Sequence, residues 1–130
     1  MKIEYRVAPG LTSYDLNDLF ARVWDDHDSI DLTSAIKHSL TYVCAYREER
    51  LVGYVNVAWD GGEHAFLLDT AVDRDLRRRG IGRRLVEHAI EEVRRLGIKW
   101  LHVDFEPHLE SFYRDLGFRH TAAGLIRLRN

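Results

Sequence analysis

The clearest hydrophobic pattern in the chain lies between Gly80 and Leu96. Apolar residues recur there with the 3.6-residue period of a helix, and charged residues occupy the opposite side. The apolar positions are Ile81, Leu85, Val86, Ala89, Ile90, Val93 and Leu96. Gly97 follows, and glycine is the residue that most often ends a helix in the left-handed conformation. The pattern therefore predicts an amphipathic helix over residues 80–96.

Alternating or β-branched stretches predict the strands of a sheet. They cover residues 3–7, 41–46, 51–59, 64–72 and 100–105, with further strand material at 121–128. The turns at 47–50 and at Asp60-Gly61-Gly62 join the middle three into a meander. The run 65–68 is uniformly apolar, which predicts burial on both faces. Gly53 inside a strand predicts a bulge or a close backbone approach.

Three further helices follow from weaker patterns. Residues 15–24 carry an apolar stripe with Ser13 as the candidate N-cap, residues 31–40 form a second helix, and residues 109–116 form a short one that Gly117 ends. Strands precede a strand–helix–strand unit, so the fold class is mixed α/β with a central sheet. At 130 residues, the chain is expected to be one domain over 1–130.

Composition narrows the classes of partner. Hydrophobic residues make up 45% and charged residues 31%, which is typical of a folded protein. The net charge of -2 disfavours nucleic acid as a partner. No apolar run approaches the roughly 20 residues of a membrane span, so no membrane partner is expected. Cys44 has no second cysteine to pair with, and the charged N-terminus does not resemble a signal peptide, so we expect a cytoplasmic protein.

The first chemical signal is the segment Val72–Arg83. A strand ends there, an arginine-rich loop follows, and Gly80 and Gly82 open the long helix. Helix N-termini offer unpaired N–H groups and a partial positive charge, and glycines let an anion approach the backbone. The segment therefore predicts a diphosphate site, with a solvated basic turn as the alternative. It is not a P-loop, because no Gly-Lys-Ser/Thr ends it.

These residues resemble a known family. Ala71-Val72 followed by Arg77-x-x-Gly80-x-Gly82 is similar to the acyl-CoA motif of the GNAT superfamily of N-acetyltransferases. The run from Glu106 to Phe118 resembles the last helix of that family, with a tyrosine before an apolar-Gly-Phe stop. The resemblance implies an acyl-CoA N-acyltransferase fold, a mostly antiparallel mixed sheet flanked by helices, and an acyltransferase that uses acetyl-CoA as co-substrate.

The resemblance also implies roles for individual residues. The main chain at Ala71 and Val72 would pair with pantetheine, and the backbone near Val72 would polarise the thioester carbonyl. The amides from Arg78 to Arg83 would hold the pyrophosphate. The implied cofactor-binding set is Ala71, Val72, Arg77, Arg78, Arg79, Gly80, Ile81, Gly82 and Arg83. Tyr113 would stand near the sulfur and protonate the leaving thiolate, whereas its helical spacing alone predicts a core residue. Many members carry Asn where this chain has Glu106.

Two acids are candidates for the general base. Asp69 lies in an apolar run, where a carboxylate needs a partner or a role, and its alternative is an ion pair with an arginine. Glu106 ends the neighbouring strand and is a candidate base, pantetheine ligand or helix N-cap. We rank Asp69 first and Glu106 second. Trp24 and Trp59 are candidates for lining an acceptor pocket or for the core.

Several functional alternatives stay open at this point. The 7 histidines lack metal-ligand spacing, so we expect no metal. Cys44 lies in a stretch rich in β-formers and is expected to be a buried apolar residue. This favours direct attack by a primary amine in a ternary complex over a mechanism with an acyl-cysteine intermediate. The acceptor could be a small amine, an antibiotic, an amino-acid derivative or a protein N-terminus. The alternatives to catalysis are a non-catalytic acyl-CoA-binding regulatory domain and an RNA or phosphoprotein contact at Arg77–Arg79. A homodimer is compatible with the sequence.

Overall fold

A five-stranded sheet organises the molecule in the computed structural model, which describes residues Met1–Asn130. The strands lie in the order β1-β2-β3-β4-β5; β1 to β4 are antiparallel, and β5 is parallel to β4. The strands are β1 (Glu4–Val7), β2 (Thr41–Arg47), β3 (Arg50–Trp59), β4 (His64–Val72) and β5 (Trp100–His102). The helices are α1 (Ser13–Val23), α2 (Thr33–His38), α3 (Ile81–Arg95) and α4 (Glu110–Asp115), with short 3-10 helices at Arg74–Leu76 and Pro107–Leu109. The mixed α/β class is confirmed.

Local chemistry explains the connections of the meander. Glu48 and Glu49 both have positive φ, at 50° and 67°, so the loop between β2 and β3 has the backbone twist that a two-residue hairpin requires. The turn before β4 is closed by Asp60, whose carboxylate accepts a hydrogen bond from the Gly62 N–H at 2.7 Å. Thr12, rather than the expected Ser13, caps α1 by accepting from the Asp15 N–H at 3.1 Å.

The two faces of the sheet carry separate cores. The long helix α3 packs its apolar stripe on one face, against a larger cluster that includes Val43, Val55, Val57, Ala65 and Leu67. Helix α1 covers part of the other face with Leu16, Leu19, Phe20 and Val23. Gly53 lies where α3 crosses β3, and a Cβ there would be 2.9 Å from Leu85 Cδ1. The predicted close approach is therefore present, and a register shift between Ala45 and Tyr46 places a bulge beside it.

Strands β4 and β5 separate after a short parallel pairing. Their register runs only from His64 opposite Trp100 to Phe66 opposite His102. Beyond Phe66, β4 continues to Val72 with β3 on one side and no strand on the other. An open backbone edge therefore faces a cleft between the diverging strands.

Three expectations about this side of the sheet were wrong. β5 ends at His102 rather than 105, because the chain leaves β4 there and turns into a 3-10 helix. Residues 121–128 form no strand, since the outer edge of the three-residue β5 offers them almost no ladder to join. The run 65–68 is not buried on both faces: Phe66 and Leu68 are each 39% exposed, because α1 does not reach that part of the sheet.

Candidate active site

The first part of the site is the N-terminus of α3. Gly80 is its N-cap residue with φ of 80°, a conformation that only glycine adopts without strain, and no side chain caps the helix. The first intrahelical bond runs from the Arg84 N–H to the Gly80 carbonyl at 3.1 Å. The N–H groups of Ile81, Gly82 and Arg83 therefore have no acceptor within the helix.

The surroundings of these N–H groups suit an anion. The first turn of α3 contains no acidic residue and carries Arg83 and Arg84, a placement that opposes the usual preference for negative charge at a helix N-terminus. A Cβ on Gly82 would meet only ordinary contacts, 3.7 Å to Val72 Cγ2 and 4.0 Å to Phe112 Cζ. Open donors, basic charge and room at the glycines together fit the diphosphate that the sequence predicted.

The arginines of the preceding loop divide between two tasks. Arg77 reaches back to α1, where its guanidinium donates to the Val23 carbonyl at 3.4 Å. Arg74 contacts the same carbonyl at 3.1 Å and the Asp25 carboxylate at 2.7 Å. Arg78, with φ of 63°, and Arg79 are exposed and have no ion-pair partner. The guanidinium of Arg77 therefore holds the loop against α1, while Arg78 and Arg79 remain available to an anion.

A buried ion pair that the sequence did not reveal fixes the start of this loop. Asp73 is 7% exposed and accepts a charge-assisted hydrogen bond from Arg22 of α1. Arg22 also donates to the Leu51 carbonyl at 2.8 Å, and Asp73 caps the following 3-10 helix through the Asp75 N–H at 3.0 Å. The two residues lie 51 positions apart, so no local sequence pattern predicts the pair.

The second part of the site is a bulge in β4. Tyr54 pairs with Ala71 and Asn56 with Leu68, so Val55 faces both Asp69 and Thr70. Asp69 has a positive φ of 57°, which is strained for a residue with a side chain. Its carboxylate keeps contact with solvent and forms no ion pair, so the alternative of an arginine partner is not met. Burial by its surroundings raises the pKa of the Asp69 carboxyl.

Tyr113 approaches the same bulge from α4. Its ring is 6% exposed and stacks on Phe105, with centroids 4.8 Å apart, and Phe112 packs edge-on at 4.9 Å. Burial raises the pKa of the Tyr113 hydroxyl, while an interaction with the Thr70 side chain acts in the opposite direction. Because Thr70 follows Asp69, Tyr113 and the first-ranked base candidate Asp69 lie at one segment of β4.

Of the remaining predicted residues, some border the cleft and others lie elsewhere. Ala71 and Val72 pair with Tyr54 and Gly53 of β3, so their other edge borders the cleft. Glu106 occupies the N-cap position of the 3-10 helix before α4; its side chain is exposed and makes no capping hydrogen bond. Trp59 pairs with Ala65 and so shares the α3 side of the sheet, away from the face of Leu68. Trp24 packs on Phe20 at the end of α1.

No group of three or more His, Cys, Asp or Glu side chains is arranged to hold a metal ion. None of the helices has the length and apolar character needed to cross a membrane.

Sequence comparison finds relatives that are named as N-acetyltransferases. The chain is 31% identical over 116 residues to the chloroplastic GCN5-related N-acetyltransferase 1 of Arabidopsis thaliana, an alignment that covers 87% of this chain and 59% of that protein. It is 30% identical over 118 residues to the chloroplastic serotonin N-acetyltransferase 2 of Oryza sativa subsp. japonica, covering 87% and 59%. The chain thus spans about three-fifths of the length of these two relatives. The chloroplast location belongs to their names, and the cytoplasmic location of this chain stays a prediction.

Solved structures share the fold over their whole length. A GNAT family acetyltransferase from Streptococcus pneumoniae TIGR4 has a TM-score of 0.82 and 24% identity, with 98% of each chain covered. An aminoglycoside N-acetyltransferase in complex with CoA has a TM-score of 0.74 and 15% identity, covering 98% of this chain and 95% of its own. The model of the acetyltransferase (GNAT) family matches residues 11–118. The chain belongs to the GNAT family.

Proposed function

We propose that this chain is an acetyl-CoA-dependent N-acetyltransferase, with residues 1–130 as its catalytic domain. The reaction is direct attack by a primary amine in a ternary complex. One observation carries the proposal: the open edge of β4 leads into the uncapped, basic N-terminus of α3, and Asp69 and Tyr113 flank that edge.

The chain's own groups match the parts of acetyl-CoA. The free N–H groups of Ile81, Gly82 and Arg83, with the exposed Arg78 and Arg79, would hold the pyrophosphate. The unpaired edge at Ala71 and Val72 would receive the pantetheine amides as an added strand receives its neighbour. When bound, the co-substrate supplies an acetyl group activated as a thioester.

Asp69 is proposed as the general base. An alkylammonium of pKa ~10.4 is only about 0.04% neutral at pH 7, equivalent to roughly 4.6 kcal/mol. A carboxylate that takes up the ammonium proton restores the nucleophile. The raised pKa of Asp69 brings its proton affinity closer to what that transfer needs, while its solvent contact keeps it reachable by an acceptor.

Tyr113 is proposed as the general acid. The sulfur leaves as a thiolate and needs a proton, which the phenolic hydroxyl can donate. Burial raises the pKa of Tyr113, so the hydroxyl stays protonated at neutral pH and is ready to give that proton. The proton balance needs two losses from nitrogen. Asp69 takes the first proton from the ammonium before attack and passes it to solvent. The second leaves the nitrogen as the C–S bond breaks and replaces, through water, the proton that Tyr113 gives to sulfur.

Direct transfer is favoured by the position of the only cysteine. Cys44 is fully buried on the α1 side of the sheet, and burial raises the pKa of its thiol to about 12. A thiol in that environment is a poor nucleophile. The acetyl group therefore passes from sulfur to nitrogen without an acyl-cysteine.

The decisive experiment compares Asp69→Asn with Glu106→Gln. If Asp69 is the base, Asp69→Asn slows acetyl transfer most near pH 7, and the defect shrinks as rising pH deprotonates more of the acceptor. If Glu106 holds pantetheine, Glu106→Gln changes the KM for acetyl-CoA and leaves the pH–rate profile alone. A normal pH profile for Asp69→Asn would move the role to Glu106 or to water. An acetyl-CoA-dependent thermal shift without turnover of any amine would instead indicate a non-catalytic acyl-CoA-binding domain.

A further inference from the structure

The turn at Asp73 lies between the two sets of backbone groups that the proposed acetyl-CoA site uses. The Asp73 N–H donates to the Val52 carbonyl of β3 at 2.8 Å, which makes Gly53 and Val72 a non-hydrogen-bonded pair of the ladder. The N–H and the carbonyl of Val72 therefore point away from β3 and into the cleft. The free N–H groups of α3 begin after the turn, at Ile81. One set would bind pantetheine and the other pyrophosphate.

Arg22 of α1 holds this turn from outside the cleft. Its guanidinium pairs with the Asp73 carboxylate, donates to the Leu51 carbonyl at 2.8 Å and reaches the Asp18 carboxylate at 3.1 Å. The side chains of Arg22 and Asp73 are only 19% and 9% exposed, so salt screens their attraction little. The planar fork of a guanidinium serves several acceptors at fixed angles, which a lysine ammonium on a flexible stem does not reproduce.

The Asp73 carboxylate and carbonyl shape the chain that follows. The carboxylate accepts from the Asp75 N–H at 3.0 Å, and the carbonyl accepts from the Leu76 N–H at 2.9 Å. Leu76 is buried in the core on the α3 side of the sheet. The turn is thus fixed at one end by Arg22 and at the other by a buried leucine. Its position sets the separation between Val72 and the start of α3.

Two more arginines join the same turn to the end of α1, but less firmly. The Val23 carbonyl accepts from Arg74 at 3.1 Å and from Arg77 at 3.4 Å. The ion pair of Arg74 with Asp25 is exposed on both sides, and exposed pairs contribute little. Arg22 is therefore the contact between α1 and the turn that is buried and charged on both sides.

We propose that Arg22 is a positioning residue for acetyl-CoA: through Asp73 it holds the Val72 edge and the N-terminus of α3 at the spacing at which one molecule contacts both. This inference rests on the proposed function. Two binding groups joined in one ligand strengthen each other only when the protein holds their sites at a matching separation. If the turn keeps that spacing for only a fraction of the time, the apparent affinity falls by that fraction.

Removal of Arg22 alone would leave the Asp73 carboxylate buried without a cation. A buried unpaired charge is driven toward water, and moving this carboxylate moves the turn that carries it. Asparagine at position 73 would remove the charge and keep a side-chain oxygen for the Asp75 N–H. Arg22→Met and the double variant Arg22→Met/Asp73→Asn therefore separate the unpaired charge from the loss of packing.

The test measures how the whole chain binds acetyl-CoA and S-acetylpantetheine, using thermal-shift titrations that need no acceptor. S-acetylpantetheine has the thioester and the amides but no phosphate, so it uses only the edge of β4, which β3 holds in place. We expect Arg22→Met to raise the Kd for acetyl-CoA about 10- to 100-fold and that for S-acetylpantetheine less than about threefold. The double variant should bind acetyl-CoA at least about threefold more tightly than Arg22→Met. Arg22→Lys should raise the Kd about threefold to 10-fold.

Arg94→Met is the matched control, because Arg94 forms an exposed ion pair with Glu91 at 3.0 Å on α3. It should leave both Kd values unchanged. The stoichiometry of acetyl-CoA binding in calorimetry gives the folded fraction of each variant, and Arg22→Lys decides the matter if Arg22→Met does not fold.

A lower Tm with a wild-type Kd for acetyl-CoA in the Arg22 variants would make Arg22 a structural residue only and overturn the inference. Equal losses for the two thioesters in Arg22→Met would also overturn it, because a spacing effect requires a ligand that contacts both sites. Both outcomes leave the proposed transferase standing. A wild-type chain that binds neither acetyl-CoA nor CoA overturns the proposed function, and this inference with it.

Discussion

The two sides of the cleft between β4 and β5 are built differently. The α3 side is a fifteen-residue helix whose apolar stripe is buried on the sheet. Its N-terminal turn carries a set of free backbone N–H donors. The β5 side is a three-residue strand and, after Phe118, a segment that joins no strand of the sheet. A strand that stops early is what leaves the edge of β4 open. The rigid side supplies binding groups in fixed positions, and the incomplete side supplies access.

The largest effect is expected at Tyr113, where the two sides meet. Tyr113→Phe keeps the ring that packs on Phe105 and Phe112 and removes only the hydroxyl. Loss of a general acid lowers kcat by about 10²- to 10⁴-fold, while the Kd for acetyl-CoA should change less than about twofold. Steady-state kinetics and calorimetry measure the two quantities.

Tyr14→Phe serves as the control for Tyr113→Phe, because Tyr14 is an 80% exposed tyrosine on α1. It should behave as wild type. A Tyr113→Phe variant with wild-type kcat in single-turnover experiments would exclude the hydroxyl as the proton donor.

The next effect tests the binding groups at the start of α3. Gly82→Asp puts a carboxylate beside the proposed pyrophosphate, and two like charges about 4 Å apart repel by about 4 kcal/mol at an effective dielectric constant of 20. We expect the Kd for acetyl-CoA to rise by about 10²- to 10³-fold, with loss of the thermal shift. Gly82→Ala separates charge from bulk, since a Cβ there meets no atom closer than 3.7 Å. If both variants bind acetyl-CoA alike, the anion site lies elsewhere.

The contrast between the two sides also explains which elements could be predicted from the sequence. The helix at 80–96 was predicted to within one residue at each end, because its stripe, its glycines and its hydrogen bonds are all local. Strand β4 was predicted over its full range for a similar reason. The ends of β5 and the fate of residues 121–128 depend on which distant strand is available to pair, and a propensity for strand does not supply one.

The features of the site also differ in whether the sequence could predict them. The loop from Arg77 to Gly82 was predicted from its motif, Tyr113 from the resemblance, and Asp69 from its position in an apolar run. Their meeting at a bulge was not predictable, because the register shift depends on β3, and the Arg22–Asp73 pair joins residues 51 positions apart. The exposure of Phe66 and Leu68 was not predicted, because an apolar run indicates burial unless it is known that no element covers it.

A smaller effect compares the packing of the two sides through two glycines. Gly53→Ala brings a Cβ to 2.9 Å from Leu85 Cδ1 and 3.2 Å from Ala45 Cβ, so α3 must shift or Leu85 must change rotamer. Overpacking of this kind lowers the free energy of unfolding by about 1–2 kcal/mol. Gly124→Ala, in the exposed C-terminal segment, meets nothing within 4 Å and should change it by less than about 0.5 kcal/mol. Urea denaturation measures both values, and equal effects would show that α3 is packed loosely.

The smallest effect is a gain in stability from removing the proposed base. Burial raises the pKa of Asp69 in the folded state above its ordinary 3.8, so the carboxyl is neutral in both states at lower pH. As pH rises through the window between 3.8 and the folded-state pKa, the unfolded chain ionises more readily and stability is lost. The side chain of Asp69→Asn cannot ionise, and asparagine adopts the positive φ of 57° as readily as aspartate does. We expect its Tm at pH 7 to exceed that of wild type by about 1–3 °C.

The opposite sign is expected at Asp31, which makes Asp31→Asn the informative comparison. Hydrogen bonds from the Thr33 side chain and from its backbone N–H, the latter 2.9 Å long, lower the pKa of the Asp31 carboxyl. Its ionised form therefore stabilises the fold above the ordinary pKa of 3.8, and that contribution disappears as pH falls through the lowered folded-state value. Asp31→Asn should melt no higher than wild type at pH 7, and the advantage of Asp69→Asn should vanish below about pH 4. A lower Tm for Asp69→Asn at pH 7 would mean that the carboxylate has a stabilising partner, because an ionised group that is partly removed from water without a partner lowers the stability of the fold.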